Sequence, residues 1–152
     1  MTAPTRPVAP PLPVTFRPWL ATRMLAGLAV GVAASLVGLA ILLPQIDTRD
    51  RWVFVGFAVL VLVGLGFLAR PRLRADDAGL EIVNVWRRRR LGWAEVVAVR
   101  LGPGDPWLVL DLDHGTTAAA MGVQSADGAR GRRVAAQVAL LVAEHSATPR
   151  ND

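Results

Sequence analysis

The chain has no cysteine and no lysine. Without cysteine it can hold neither a disulfide framework nor a thiolate metal site, and two isolated histidines, His114 and His145, supply little material for zinc. A cytoplasmic setting is therefore permitted. No glycine-rich loop of the kind that cradles phosphates stands between a strand and a helix. The arginines lack interleaved exposed aromatics or a recognition helix, which argues against nucleic-acid binding. Also missing is charge from two long stretches, Met24 to Leu43 and Trp52 to Ala69.

These two uncharged runs dominate the chain. At about 1.5 Å per helical residue they reach roughly 30 Å and 27 Å, the thickness of a bilayer's hydrocarbon core. They predict a two-helix transmembrane hairpin over 24–69, with spans 24–43 and 52–69. A cleaved signal peptide is disfavoured, because the first run is long for an h-region, no small-residue cleavage site follows Leu43, and a second run starts soon after. Residues 1–23 carry Pro4, Pro7, Pro10, Pro11 and Pro13 and read as an extended, Pro-rich cytoplasmic tail. Gly27, Gly31 and Ser35 on the first span and Gly56 and Gly64 on the second are small enough for close helix approach. They serve either packing of the hairpin on itself or association into a homo-oligomer.

All seventeen basic residues are arginine, and the net charge of +5 favours anionic partners, with lipid headgroups nearest to hand. Arg6, Arg17 and Arg23 precede the first span and Arg70, Arg72 and Arg74 follow the second, against Arg49 and Arg51 in the connector Pro44 to Arg51. This bias places both termini in the cytoplasm and the protein in the plasma membrane.

After Ala69 apolarity alternates. Leu80, Ile82 and Trp86 are expected on one face of a strand and Glu81 on the other, after a turn at Asp77-Ala78-Gly79. Trp107 to Asp113 is the clearest strand, with Leu108, Leu110 and Leu112 opposite Asp111 and Asp113. Val96 to Leu101 and Thr116 to Met121 complete the sheet, and Gly102 to Pro106 is a loop. Val134, Val138, Leu141, Val142 and His145 form the stripe of an amphipathic helix, capped by Ser125 or Asp127. Short antiparallel strands closed by a C-terminal amphipathic helix predict a small α+β, PH-like barrel or sandwich over 70–146, with a flexible C-terminus at 147–152.

Five segments in order strengthen this reading: Arg70-Pro71-Arg72-Leu73-Arg74, Asp77-Ala78-Gly79-Leu80, Leu91-Gly92-Trp93-Ala94-Glu95-Val96, Gly104-Asp105-Pro106-Trp107-Leu108 and Ala120-Met121-Gly122-Val123-Gln124-Ser125. With Arg17-Pro18 and the two-span layout, they resemble the actinobacterial membrane-anchored bacterial PH-domain proteins. The resemblance implies a PH-like fold, an integral membrane location and no enzymatic chemistry. It implies no binding residues and no cofactor.

Candidate sites follow from charge. Arg72, Arg74 and Arg87, Arg88, Arg89 and Arg90 are candidates for contact with anionic phospholipid. The contiguous four sit near a hairpin tip, where they either meet phosphates or make a solvated turn that discourages edge pairing. Arg130, Arg132 and Arg133 fall in the first turns of the terminal helix, against its dipole, where a bound anion would relieve the conflict. Asp111, Asp113 and His114 could in principle hold a divalent metal, but a domain of about 80 residues leaves little room for a substrate pocket. The expected function is a non-enzymatic, membrane-anchored interaction module that binds an unidentified protein through a strand edge or the groove between helix and sheet. Trp86, Trp93 and Trp107 serve there as anchors or as core. The alternative is a surface that lies on anionic lipid through the arginine cluster.

Overall fold

The computed structural model describes residues 9–146. The expectations for Pro4, Pro7 and Arg6 and for the tail 147–152 fall outside them. Two units are present among these residues, one formed by 19–70 and the other by 9–18 together with 71–146.

The first unit is a helical hairpin. Helix α1 runs Trp19–Leu42 and α2 runs Thr48–Leu68, each starting several residues earlier than the apolar runs alone indicate. Asp47 explains the second start, since its Oδ1 accepts from the backbone N–H groups of Arg49 and Asp50 at 3.0 and 3.1 Å, and so caps α2. Both helices are long and apolar enough to cross a membrane. Arg23 lies over the Trp19 ring at 4.4 Å and Arg70 over Phe67 at 4.6 Å, a cation–aromatic pair at each outer end of the hairpin.

The buried hairpin residues are Ala29, Ala33 and Ala40 on α1 and Ala58 on α2. The expected packing through glycine is corrected here. Gly27, Gly31, Ser35, Gly56 and Gly64 are all exposed, and a Cβ added at any of the four glycines would meet nothing within 4 Å. Ser35 donates to the Gly31 carbonyl of its own helix at 2.8 Å. Alanine is the closest-packing residue that does not sacrifice helix propensity, and here it lines the seam.

The second unit holds two antiparallel sheets and a helix. Strands β1 (Val14–Phe16), β2 (Arg72–Asp76), β3 (Gly79–Val83) and β4 (Arg88–Leu91) form the first sheet in that order. Strands β5 (Val96–Arg100), β6 (Trp107–Leu112) and β7 (Thr117–Gln124) form the second, and α3 spans Ala129–Ser146. Strand β1 corrects both the extended tail over 1–23 and the domain start at 70. Val14 pairs with Ala75 and Phe16 with Leu73, and Phe16 is buried in the core. An apolar-polar-apolar triplet between prolines is enough to pair with an edge that would otherwise be open. The domain thus takes a strand from each side of the helical hairpin.

Leu73, Leu80, Leu91, Leu108, Leu110 and Leu141 are fully buried where the sheets and α3 meet. Each contributes on the order of 1.5–3 kcal/mol of transfer free energy. The alternation expected in Trp107 to Asp113 holds, with Leu108, Leu110 and Leu112 inward. So does the helical stripe, since Val138, Leu141 and Val142 are buried. Ser125 does not cap α3. Residues 125–127 make a separate 3-10 turn, its hydroxyl donates to the Pro106 carbonyl at 3.3 Å, and Gly128, at φ 59°, separates that turn from the helix.

Strand β7 runs further than the expected Thr116 to Met121 because it crosses β2. A Cβ on Gly122 would lie 2.4 Å from the Leu73 nitrogen, so this crossing requires glycine. Gly79, at φ 140°, is equally constrained, with the Leu91 carbonyl oxygen 2.0 Å from where its Cβ would be.

Candidate functional site

The arginine run begins in the β3–β4 turn and continues into the strand. Three of its members form β4 with Leu91, and only Arg87 belongs to the turn region, which alters what each residue can do. Glu81 pairs in register with Arg90, and Arg74 with Glu81, so alternate residues of three strands share the outer face of the first sheet. On that face Arg72, Arg74, Arg88 and Arg90 surround two carboxylates. Arg88 pairs with Glu81, and Arg90 donates twice to Asp76, at 2.8 and 2.9 Å. Glu81 lies on the face opposite Leu80 and Ile82, as alternation expects, and is buried under this cover. Burial works to raise the Asp76 pKa. Hydrogen bonds from the Ala78 N–H and from Arg90, with the charges of Arg90 and Arg74, outweigh it and hold the carboxyl below its ordinary value.

Arg87 and Arg89 lie elsewhere. Together with Ile82, Asn84, Thr117, Ala118 and Ala119 they line a cleft of about 250 Å³ whose lining includes no carboxylate. Its wall is built by Asn84. The Asn84 side chain donates to the Ala119 carbonyl at 2.8 Å and accepts from the Met121 N–H at 3.0 Å, so one amide pairs with β7 as a strand would and ties the two sheets together. Its backbone N–H donates to the Arg87 carbonyl at 2.8 Å, closing the turn. Nothing in the local sequence singled out this asparagine, since its partners lie 35 and 37 residues away.

Trp86 sits on that turn, beyond the strand on which alternation groups it with Leu80 and Ile82, and is 83% exposed. Trp93 is in the core, stacked on His145 with ring centroids 4.4 Å apart, and Trp107 is half-buried. Outside α1 and α2, the exposed large hydrophobic residues among those described are Trp86 and Val97.

Residues 70–140 match the family described as Bacterial PH domain. This part of the chain is a PH-like domain. Uncharacterised proteins of Mycobacterium tuberculosis and Mycobacterium bovis are 40% identical to it over 91 residues, which is 59% of this chain and 57% of each relative. The match therefore spans little more than half the length of these relatives. No solved structure matches. The mycobacterial relatives agree with the actinobacterial resemblance.

The remaining candidates are spread over the domain. Arg130 lines a narrow cleft of about 70 Å³ beside Arg17 and Asp127, while Arg132 lines another of about 270 Å³ with the Gly102–Gly104 loop. Arg133 is exposed and lines neither of these clefts. Arg130 and Arg132, expected together at an anion site, thus line different clefts. Among the described residues no three His, Asp or Glu side chains are grouped to hold a metal. Asp111 is instead held by Arg100 through bonds of 2.6 and 2.7 Å, which lower the Asp111 pKa and raise that of Arg100. Asp113 accepts from His114 Nδ1 at 2.8 Å, chiefly for which reason its pKa is lowered, and Thr116 Oγ1 lies 2.8 Å from His114 Nε2. This chain of contacts is closed within one exposed turn, between residues no more than two apart in sequence.

Proposed function

We propose that the chain is a non-enzymatic, membrane-anchored interaction module: α1 and α2 span the plasma membrane, both termini and the PH domain are cytoplasmic, and the domain binds a protein partner. The anchoring rests on the length and apolarity of α1 and α2, and one observation supports placing both flanking segments on the same side. Strand β1 precedes the helices and β2 follows them, yet the two pair in one sheet, so spanning helices must return the chain to the side it left. The arginine excess beside α1 and α2 supports the cytoplasm as that side. The partner reading is supported by β5, an edge strand of the second sheet. Val96 pairs with Leu112 and Ala98 with Asp111, leaving Val97 as the extra residue of a bulge, 66% exposed. An edge with an outward apolar side chain suits addition of a partner's strand.

The absence of cysteine makes topology directly measurable. Single cysteines at Thr48, in the first turn of α2, and at Pro103, in the domain, are exposed to a membrane-impermeant maleimide on intact cells. The expected result is labelling at Thr48 and none at Pro103 until the cells are lysed. Labelling at Pro103 alone reverses the orientation, and release of the whole chain by alkali removes the spanning reading. A photo-crosslinking side chain at Val97 is expected to give one discrete protein adduct, and adducts with lipid alone overturn the partner reading.

A further inference from the structure

Helix α3 and strand β5 lie side by side and run in opposite senses. Near the start of α3, Arg132 lines the cleft of about 270 Å³ together with Leu101, which directly follows β5, and the Gly102–Gly104 loop. At the other end, the Ser146 hydroxyl donates at 3.2 Å to the carbonyl of Trp93, in the short turn that leads into β5. The helix thus flanks the strand along its length, within one unit of the molecule. The two clefts at its start also show which flank this is. Arg130 and Val134 line the one beside β1, whereas Arg132 lines the one at the end of β5. At about 100° per residue, Ala136, Ala139 and Ala143 follow Arg132 down the β5 side. Ala136 and Ala139 are half-buried and Ala143 is exposed, next to the buried line of Ala135, Val138 and Val142.

The groove between the two has an open edge on one bank and small side chains on the other. Among the described residues, the backbone of Val97 to Arg100 has no hydrogen bond to any strand but β6, so the second edge of β5 is unpaired. The helix bank is alanine where a longer side chain would narrow the space. One end of the groove carries a charge. Arg132 takes part in no ion pair among the described residues, and its cleft is lined by no carboxylate. The acid of the neighbouring loop is engaged, since Asp105 Oδ2 accepts from the Gly102 N–H at 2.9 Å. The Ser125 hydroxyl in the cleft already donates to the Pro106 carbonyl, which leaves the Arg132 guanidinium as the side-chain donor for an incoming group. Its planar fork of N–H groups matches a carboxylate.

We propose that the groove between β5 and α3 takes an extended segment of a partner protein, paired antiparallel to β5, with an aspartate or glutamate at the segment's N-terminal end entering the cleft to meet Arg132. This rests on the partner reading above and gives that partner its chemistry. Antiparallel pairing is the stronger ladder, and it sets the start of the added strand beside Arg100 and Leu101, at the mouth of the cleft. Further along, an apolar residue of the segment covers Val97, and the alanines of α3 leave room for its neighbours. A segment with a basic residue at that end is refused by Arg132. The specificity is thus an acid followed by alternating apolar residues.

The test uses the full chain in lipid nanodiscs and a displayed library of short random peptides as the probe. The expected result is a set of selected peptides that carry Asp or Glu ahead of alternating apolar residues and protect the amides of Val97 to Arg100 from hydrogen exchange. R132E is expected to weaken them at least about tenfold, and replacing the peptide's acid by lysine to restore binding to R132E. Ala143→Arg, which crowds the groove from an exposed position, weakens them to a similar degree, with an unchanged melting temperature as the check on folding. Peptides that protect β5 but bind R132E and Ala143→Arg as tightly as the unaltered chain overturn the groove and leave the strand-edge reading standing. An acid found at the C-terminal end of the selected peptides overturns the antiparallel pairing. A library that yields no binder, or binders that leave β5 unprotected, overturns the proposal. The crosslinking side chain at Val97 then decides the partner reading separately: a discrete protein adduct keeps it, and no adduct removes both.

Discussion

The helical hairpin and the PH domain are built from the same apolar residue types and treat them in opposite ways. In the domain, leucines are fully buried and arginines cover the outer face of a sheet. In the hairpin the seam is alanine, while Leu28, Val30, Ile41, Phe57 and Leu60 point outward and are each more than half exposed. A helix apolar on every side is stable only in an apolar surrounding, and a surface of this kind exceeds what a soluble monomer leaves in water. The difference teaches that the same side chain marks a protein core in one unit and, in the other, an outward apolar surface of the kind that a bilayer would cover.

Paired substitutions break that comparison most strongly. Leu110→Ala empties part of a sealed core and is expected to cost about 2–5 kcal/mol, read by denaturant unfolding of the full chain in discs. Leu60→Ala, 62% exposed on α2, is expected to change stability by no more than about 0.5 kcal/mol. Equal effects would mean that the outward face of α2 is covered by protein. Next in size is Asn84→Ala, which leaves the Ala119 carbonyl and Met121 N–H without their partner and is expected to cost about 1–3 kcal/mol. Hydrogen exchange should rise at Met121 and stay unchanged in α1 and α2. Ala33→Leu overfills the hairpin seam at a cost of about 1–3 kcal/mol, whereas Gly31→Leu, with open space at its Cβ, leaves the hairpin intact. Disulfide trapping between cysteines placed on α1 and α2 separates the two.

These pairs also show where the sequence was legible. Leu108, Leu110 and Leu112 follow a period of two and the α3 stripe a period of 3.6, so a local pattern sufficed for both. The two uncharged runs were equally plain. Strand β1 was hidden because three residues among prolines carry almost no periodic signal, and its partner lies beyond the whole hairpin. The glycines drew attention as small residues, but a small side chain states that close approach is allowed, not on which face it happens. The arginine run read as one patch because adjacent residues carry the same charge. In a strand adjacent residues point to opposite faces, which divides Arg88 and Arg90 from Arg89. Grouping Trp86 with Leu80 and Ile82 extends an alternation past the strand's end at Val83.

The smallest expected effect sharpens the same contrast through pH. Asp76 and Asp111 are both held below the ordinary carboxylate value in the folded domain, Asp76 against its burial by Ala78, Arg90 and Arg74, and Asp111 by Arg100. A depressed folded pKa means that the unfolded chain binds protons first as pH falls. The stabilisation is thus fully present above the unfolded aspartate value of about 3.9 and is lost as pH drops through the lower folded values. The domain's melting temperature is therefore expected to be level between about pH 7 and 5 and to decline below about 4. Both pairs are surface pairs, so the decline is shallow and weaker at high salt. Arg100→Gln removes the fork that holds Asp111 and should flatten part of the acid slope while lowering the plateau slightly. An acid slope unchanged in Arg100→Gln would show that Asp111 contributes nothing to it, and would leave Asp76, tied to the outer face of β4, and Asp113, held by His114, as the sources to test next, the first with Arg90→Gln.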